Sequence, residues 1–339
     1  FSATELRYGT ARFLNMAVKP AIISAAAYFF GPASAQQVSI TIFSVAIAML
    51  LMTIDPYRAY YKKYYNNHRS GHEFIIYILI IVIWMWVVSL MMFTVMVLQH
   101  IPIFICVLSV TMFIGEKFAD EFLRFCLFKK DIARWSTLVI TRSSVQLSGL
   151  IIAVLFRKFE YSFLILLFLF SLGWVFAFYE PAKKIASIVY NNYAILCRPK
   201  YYHRAGSRIF LSFFLITSSL MSSGPSYFDK VVALFTDKES LPLFLIASMA
   251  FSLIQNFVDF FFVSKIRLEL LHGTQSLGGL IFSRKFFYCI AMGLIAGAAI
   301  LAIEALILRN IYRFEIRILA LIAFINIMLA ITAIPQQLV

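Results

Sequence analysis

Ten apolar runs recur along the sequence, at about residues 13–30, 38–54, 74–98, 103–123, 137–156, 162–180, 209–235, 242–264, 286–308 and 318–334. Their length is what most constrains the chain. A helix rises ~1.5 Å per residue, so about 20 apolar residues cross the ~30 Å hydrocarbon core of a bilayer. Several runs are rich in β-branched and aromatic residues, which in water would favour strands. Barrel strands, however, alternate every second residue and are half as long, so the continuity of these runs favours helices. Only 14% of the residues are charged and 62% are hydrophobic, whereas a soluble domain carries about a quarter charged residues. The mean hydropathy is +0.87. A soluble enzyme is excluded, and ten spans with short loops use up the 339 residues. The expected fold is all-α: a polytopic membrane protein with about ten transmembrane helices.

The separators between runs are turn-like or charged, including Gly31-Pro32, Gln99 to Pro102 and Asp237 to Pro242. The net charge of +14 would suggest nucleic acid in a soluble protein. Here its distribution carries the meaning. With the N-terminus in the cytoplasm, 20 of the 30 basic residues fall in inside segments and 6 in outside segments. The other four, Lys19, Lys117, Arg142 and Lys230, fall within or at the edge of spans. That asymmetry follows the positive-inside rule, puts both termini in the cytoplasm, and removes nucleic acid as a partner.

The longest break, residues 181–208, is basic and tyrosine-rich and reads as a cytoplasmic linker lying along anionic lipid headgroups. It divides the chain into a six-helix bundle (1–180) and a C-terminal bundle of four helices (209–339). A faint internal echo accompanies the division: Asp55 followed by Lys62-Lys63, and Asp259 followed by Lys265 and Arg267. Transporters are often built from such repeats. The chain opens on Phe1 and closes on Ala333 to Val339 with no tail, so it reads as a trimmed segment with an incomplete second half.

Ionisable groups inside spans are costly and mark function. Lys19, Arg142, Glu116, Lys117, Asp120 and Glu121 all fall in the cytoplasmic half of their spans, as do Gln255, Asn256 and Asp259. Glu116 and Asp120, four apart, share one helix face; Lys117 and Glu121 share the next. Two readings compete. In one, Lys19, Lys117 and Arg142 snorkel to the headgroups while Glu116, Asp120 and Arg124 form structural pairs. In the other, these cations line a wet cavity open to the cytoplasm and hold an anionic headgroup. In the seventh run, Thr217 to Ser226 is serine-rich and ends in Gly224-Pro225-Ser226, which predicts a kinked or broken helix lining a cavity. Glu304, near the outer end of the ninth run, reads as a hydrated interfacial residue.

Enzyme chemistry finds no footing. His68 and His72 share a helical spacing but lie in a basic loop with Glu73 as the only neighbouring carboxylate, and the four cysteines form no CxxC pair. Neither a metal nor a cofactor is implied. No phosphate-cradling glycine loop or nucleophile motif occurs. The first outer loop, Gly31 to Gln37, has no acid, which argues against membrane glycosyltransferases that place a carboxylate there.

The order of features resembles a known family. Arg7, Arg12 and Lys19, then Tyr28-Phe29-Phe30-Gly31-Pro32, then Gln36 to Ile40, are similar to the start of polysaccharide flippases. These form the polysaccharide-transporter branch of the multidrug/oligosaccharidyl-lipid/polysaccharide exporter superfamily. Gly115-Glu116-Lys117-Phe118 running into Arg124 is also similar. The resemblance implies two helical bundles around a central cavity that opens alternately to each side, in the bacterial inner (plasma) membrane. The implied substrate is a polyprenyl-diphosphate-linked saccharide, moved from the cytoplasmic to the outer leaflet. Lys19, Arg142 and Lys117 would supply cations for the diphosphate, and Glu116 or Asp259 would couple transport to H⁺ or Na⁺. The chain departs from such flippases in having ten spans rather than twelve or more. The alternatives are a drug or small-molecule exporter of the same superfamily, a non-catalytic membrane subunit holding a partner, and an integral membrane transferase.

Overall fold

The computed structural model describes residues 3–52, 71–128, 131–157, 239–258, 284–312 and 315–338, with isolated positions between 179 and 207. Among the described residues the regular structure is helical and there is no strand. Among the described residues, eight long helices run in the order α1 (Ala3–Phe30), α2 (Pro32–Leu51), α3 (Gly71–Leu98), α4 (Ile103–Phe128), α5 (Ile132–Leu155), α6 (Leu241–Val258), α7 (Arg284–Leu308) and α8 (Ile316–Leu338).

Five of these hold segments long and apolar enough to cross a membrane: Phe13–Phe30, Pro32–Leu51, Ile76–Leu98, Ala133–Leu155 and Phe286–Leu308. The chain is thus a helical, membrane-embedded protein. α6 and α8 contribute shorter apolar stretches, Leu241–Ile254 and Ile316–Met328. α4 is long enough at 26 residues, but Glu116, Lys117, Asp120 and Glu121 interrupt its apolarity. The runs expected at 162–180 and 209–235, with the break at Gly224 and Pro225, lie outside the described residues, as does Asp259.

The connections follow from local chemistry. Gly31 sits between α1 and α2 at φ 90°, a conformation L-residues avoid, and Pro32 then supplies the fixed φ that suits a first helical turn. α3 ends differently. The amide of Ile101 donates to the carbonyl of Met96 and that of His100 to Val97, with His100 at φ 58°. This is the double-bonded left-handed helix stop that usually takes glycine. α5 starts at Asp131, whose carboxylate accepts the Arg134 amide at 3.0 Å.

The chain forms two compact units: unit 1 is Phe1–Arg12 with Ile40–Tyr227, and unit 2 is Phe13–Ser39 with Phe228–Val339. In unit 1, α4 packs against both α3 and α5. Ala11, Ala119, Phe122, Cys126, Trp135 and Val139 form a buried cluster, and the Arg134 guanidinium stands 5.7 Å from the Phe122 ring centre. The Trp84 indole donates to the Leu51 carbonyl at 2.9 Å, satisfying an acceptor that the end of α2 leaves open. In unit 2, α6 packs against α7 and α8. Gly293 and Gly297 of α7 make the close approach possible. A Cβ on Gly293 would stand 2.5 Å from the Ile254 Cα, and one on Gly297 3.0 Å from the Ala250 carbonyl. Small residues four apart are how helices approach in lipid, where no hydrophobic force drives them together.

Candidate functional site

The charges of α4 form a polar interior among the described residues of unit 1. Glu116 and Lys117 are neighbours in sequence, so they point ~100° apart and meet different partners. Glu116 crosses to α5, where Arg142 Nη2 donates to its carboxylate at 3.1 Å. Lys117 stays on its own helix and pairs with Glu121 one turn later at 2.5 Å. The hydroxyl of Tyr77 on α3 donates to the other oxygen of Glu121. One stretch of α4 therefore ties both neighbouring helices through charge-assisted bonds. Asp120, a turn beyond Glu116, adds a second negative charge to the field at Arg142.

All four members of the two pairs are buried, with Lys117 2% and Arg142 5% exposed. Arg142 lies nine residues into Ala133–Leu155. At ~1.5 Å per residue that is roughly 13 Å, close to the middle of a ~30 Å core. Such a pair holds together because separation strands a charge, not because pairing gains much over apolar packing; losing one partner costs about 3–5 kcal/mol. Beyond Arg142 on α5 the polar character continues. Ser143 is fully buried, and Gln146, a turn on, is 2% exposed with its amide nitrogen unpartnered among the described residues.

Of the residues singled out from sequence, the structure brings together Glu116, Asp120 and Arg142, and separately Lys117 and Glu121. The face-sharing read from their spacing is what the helix presents. Lys19 lies on α1 in unit 2, half-buried, one residue before Pro20. Tyr77 and Gln146 are not among the residues the sequence singles out. A tyrosine in an apolar run carries no periodic mark, whereas Gln146 was detectable by its four-residue offset from Arg142. Glu304 corrects the sequence reading: it is not a hydrated interfacial residue but is 9% exposed, enclosed by α1, α6 and α7. Ending a span does not expose a side chain when neighbouring helices cover it.

Cys106, Cys126 and Cys289 are separate buried thiols. Among the described residues, no group of three or more His, Cys, Asp or Glu side chains converges as a metal site would require. No protein-family model matches the chain, and neither does any curated protein or solved structure.

Proposed function

We propose that the chain is a membrane transporter that flips a polyprenyl-diphosphate-linked saccharide from the cytoplasmic to the outer leaflet by alternating access. The reading takes ten spans in two bundles, with both termini cytoplasmic, in a bacterial inner membrane. It is non-enzymatic in this reading: it moves the lipid and leaves its bonds intact.

One observation carries it. Arg142 is a guanidinium near mid-span, bonded to Glu116 and in the field of Asp120. Buried ionisable groups in a membrane are rare outside substrate and ion pathways. A guanidinium binds a carboxylate and a phosphate with the same fork of N–H donors. A diphosphate can therefore displace Glu116 from Arg142 without leaving the cation bare. The freed Glu116 then needs its own counter-charge, which an incoming H⁺ or Na⁺ supplies. That exchange links substrate to coupling ion through one pair of side chains; Lys117 in unit 1 and Lys19 in unit 2 are the further candidate cations, each taken by itself, and Asp259 is the second coupling candidate.

The reading is tested by reconstituting the chain in liposomes with a lipid-linked oligosaccharide and following leaflet exchange. Arg142→Ala should reduce exchange at least about tenfold and Lys19→Ala by less. Exchange unchanged in both variants contradicts the proposal, as does its absence in a folded wild type.

A further inference from the structure

Unit 2 holds a feature for which the flippase reading has no use. A cavity of about 240 Å³ lies among α1, α6 and α7, lined by Phe13, Ala17, Ala21, Met249, Leu253 and other apolar side chains. Among the described lining residues, Glu304 is the only charged or polar one. Ala17 and Ala21 are four apart on one face of α1, and with Pro20 beside them they leave room that larger side chains would fill.

The carboxylate is incompletely satisfied. Glu304 is 9% exposed, and its Oε2 has no hydrogen-bond partner among the described residues. The Ser24 hydroxyl is near enough to interact with the carboxylate, yet among the described residues neither its oxygen nor Glu304 Oε2 closes a hydrogen bond of good geometry. A buried oxygen left in this state is costly, and a donor brought into the cavity removes the cost.

The lining decides what that donor is. Sodium, calcium and magnesium need about six oxygen ligands, and one carboxyl among Ala, Ile, Leu and Met side chains cannot supply them. A diphosphate would be repelled by the carboxylate, and a sugar would leave its hydroxyls unbonded against apolar walls. A cation with its own N–H donors and an apolar body suits both parts of the cavity. The volume is below the roughly 300–1,000 Å³ of drug-sized pockets, and about one ring and a short chain would fill it.

We infer that this cavity is a binding site for a small hydrophobic ammonium compound, its N–H donors on Glu304 Oε2 and its apolar body against Phe13, Ala17, Ala21, Met249 and Leu253. The site goes beyond the flippase reading and stands whether or not that reading does.

Calorimetric titration of the full chain in detergent micelles tests it, with 4-phenylbutylammonium as the probe and 4-phenylbutan-1-ol as its neutral counterpart. The ammonium should bind saturably at one site. Binding should weaken at least about tenfold for the alcohol and at least about tenfold in Glu304→Gln, the size of one lost charge-assisted hydrogen bond. Ala21→Phe keeps the carboxylate but fills the cavity, and should abolish binding. Equal affinity of wild type and Glu304→Gln for the ammonium overturns the inference. So does an alcohol that binds as tightly as the ammonium, or no saturable binding to a folded wild type. Should Glu304→Gln fail to fold, Ala21→Phe decides: wild-type affinity overturns the site and loss supports it.

Discussion

In unit 1, α3, α4 and α5 are tied by charges: Glu116 to Arg142 on one side, and Lys117 and Tyr77 to Glu121 on the other. In unit 2, α6 and α7 meet where α7 has no side chain at all, at Gly293 and Gly297. Both solutions answer the same problem, since lipid gives helices no hydrophobic reason to associate. They differ in what they leave available. Glycine packing is permanent, because a backbone surface has one way to fit. An ion pair can be exchanged for another ion. The proposed charged substrate meets the unit joined by exchangeable contacts, and the unit joined by backbone contact holds Glu304, whose Oε2 is unpartnered among the described residues, in an apolar cavity.

The comparison can be broken at either end. The largest effect is expected from Glu116→Gln, which leaves the Arg142 charge buried without its partner and should cost roughly 3–5 kcal/mol, read as a fall in the midpoint of thermal or denaturant unfolding in micelles. Replacing both members together, Glu116→Leu with Arg142→Met, should recover most of that loss, because apolar side chains pack where the pair stood. Next comes Gly293→Ala. Its new methyl would fall 2.5 Å from the Ile254 Cα, so the helices must part, at about 1–3 kcal/mol. A Gly293→Ala protein as stable as wild type would dissolve the contrast between the units. Smallest is Tyr77→Phe, which removes one donor from Glu121 while Lys117 remains. A loss of about 1–2 kcal/mol is expected, and no loss would mean that the Tyr77 hydroxyl does not tie α3 to α4.

Much of this architecture is legible in the sequence. Gly31-Pro32 and Gln99 to Pro102 mark the turns because glycine and proline act locally, within a few residues. The Lys117–Glu121 pair was equally local, a matter of helical offset. Three features carry no mark in the sequence. Arg142 and Glu116 are 26 residues apart, and nothing in either run says which helix lies opposite. His100 takes a conformation normally left to glycine, which a reader of turn signals passes over. Glu304 is enclosed by residues from α1 and α6, so its burial depends on two distant segments. The span count suffers similarly in α4, where the charges that make the helix interesting are those that lower its hydropathy.

The most direct measurement of the central claim is leaflet exchange of a lipid-linked oligosaccharide by the Glu116→Leu/Arg142→Met double variant, compared with its own unfolding midpoint. If the pair is the substrate's point of exchange, the variant stays folded near the wild-type midpoint and exchange falls at least about tenfold. A stable double variant that still exchanges lipid at the wild-type rate would contradict the account and leave the buried pair as packing alone.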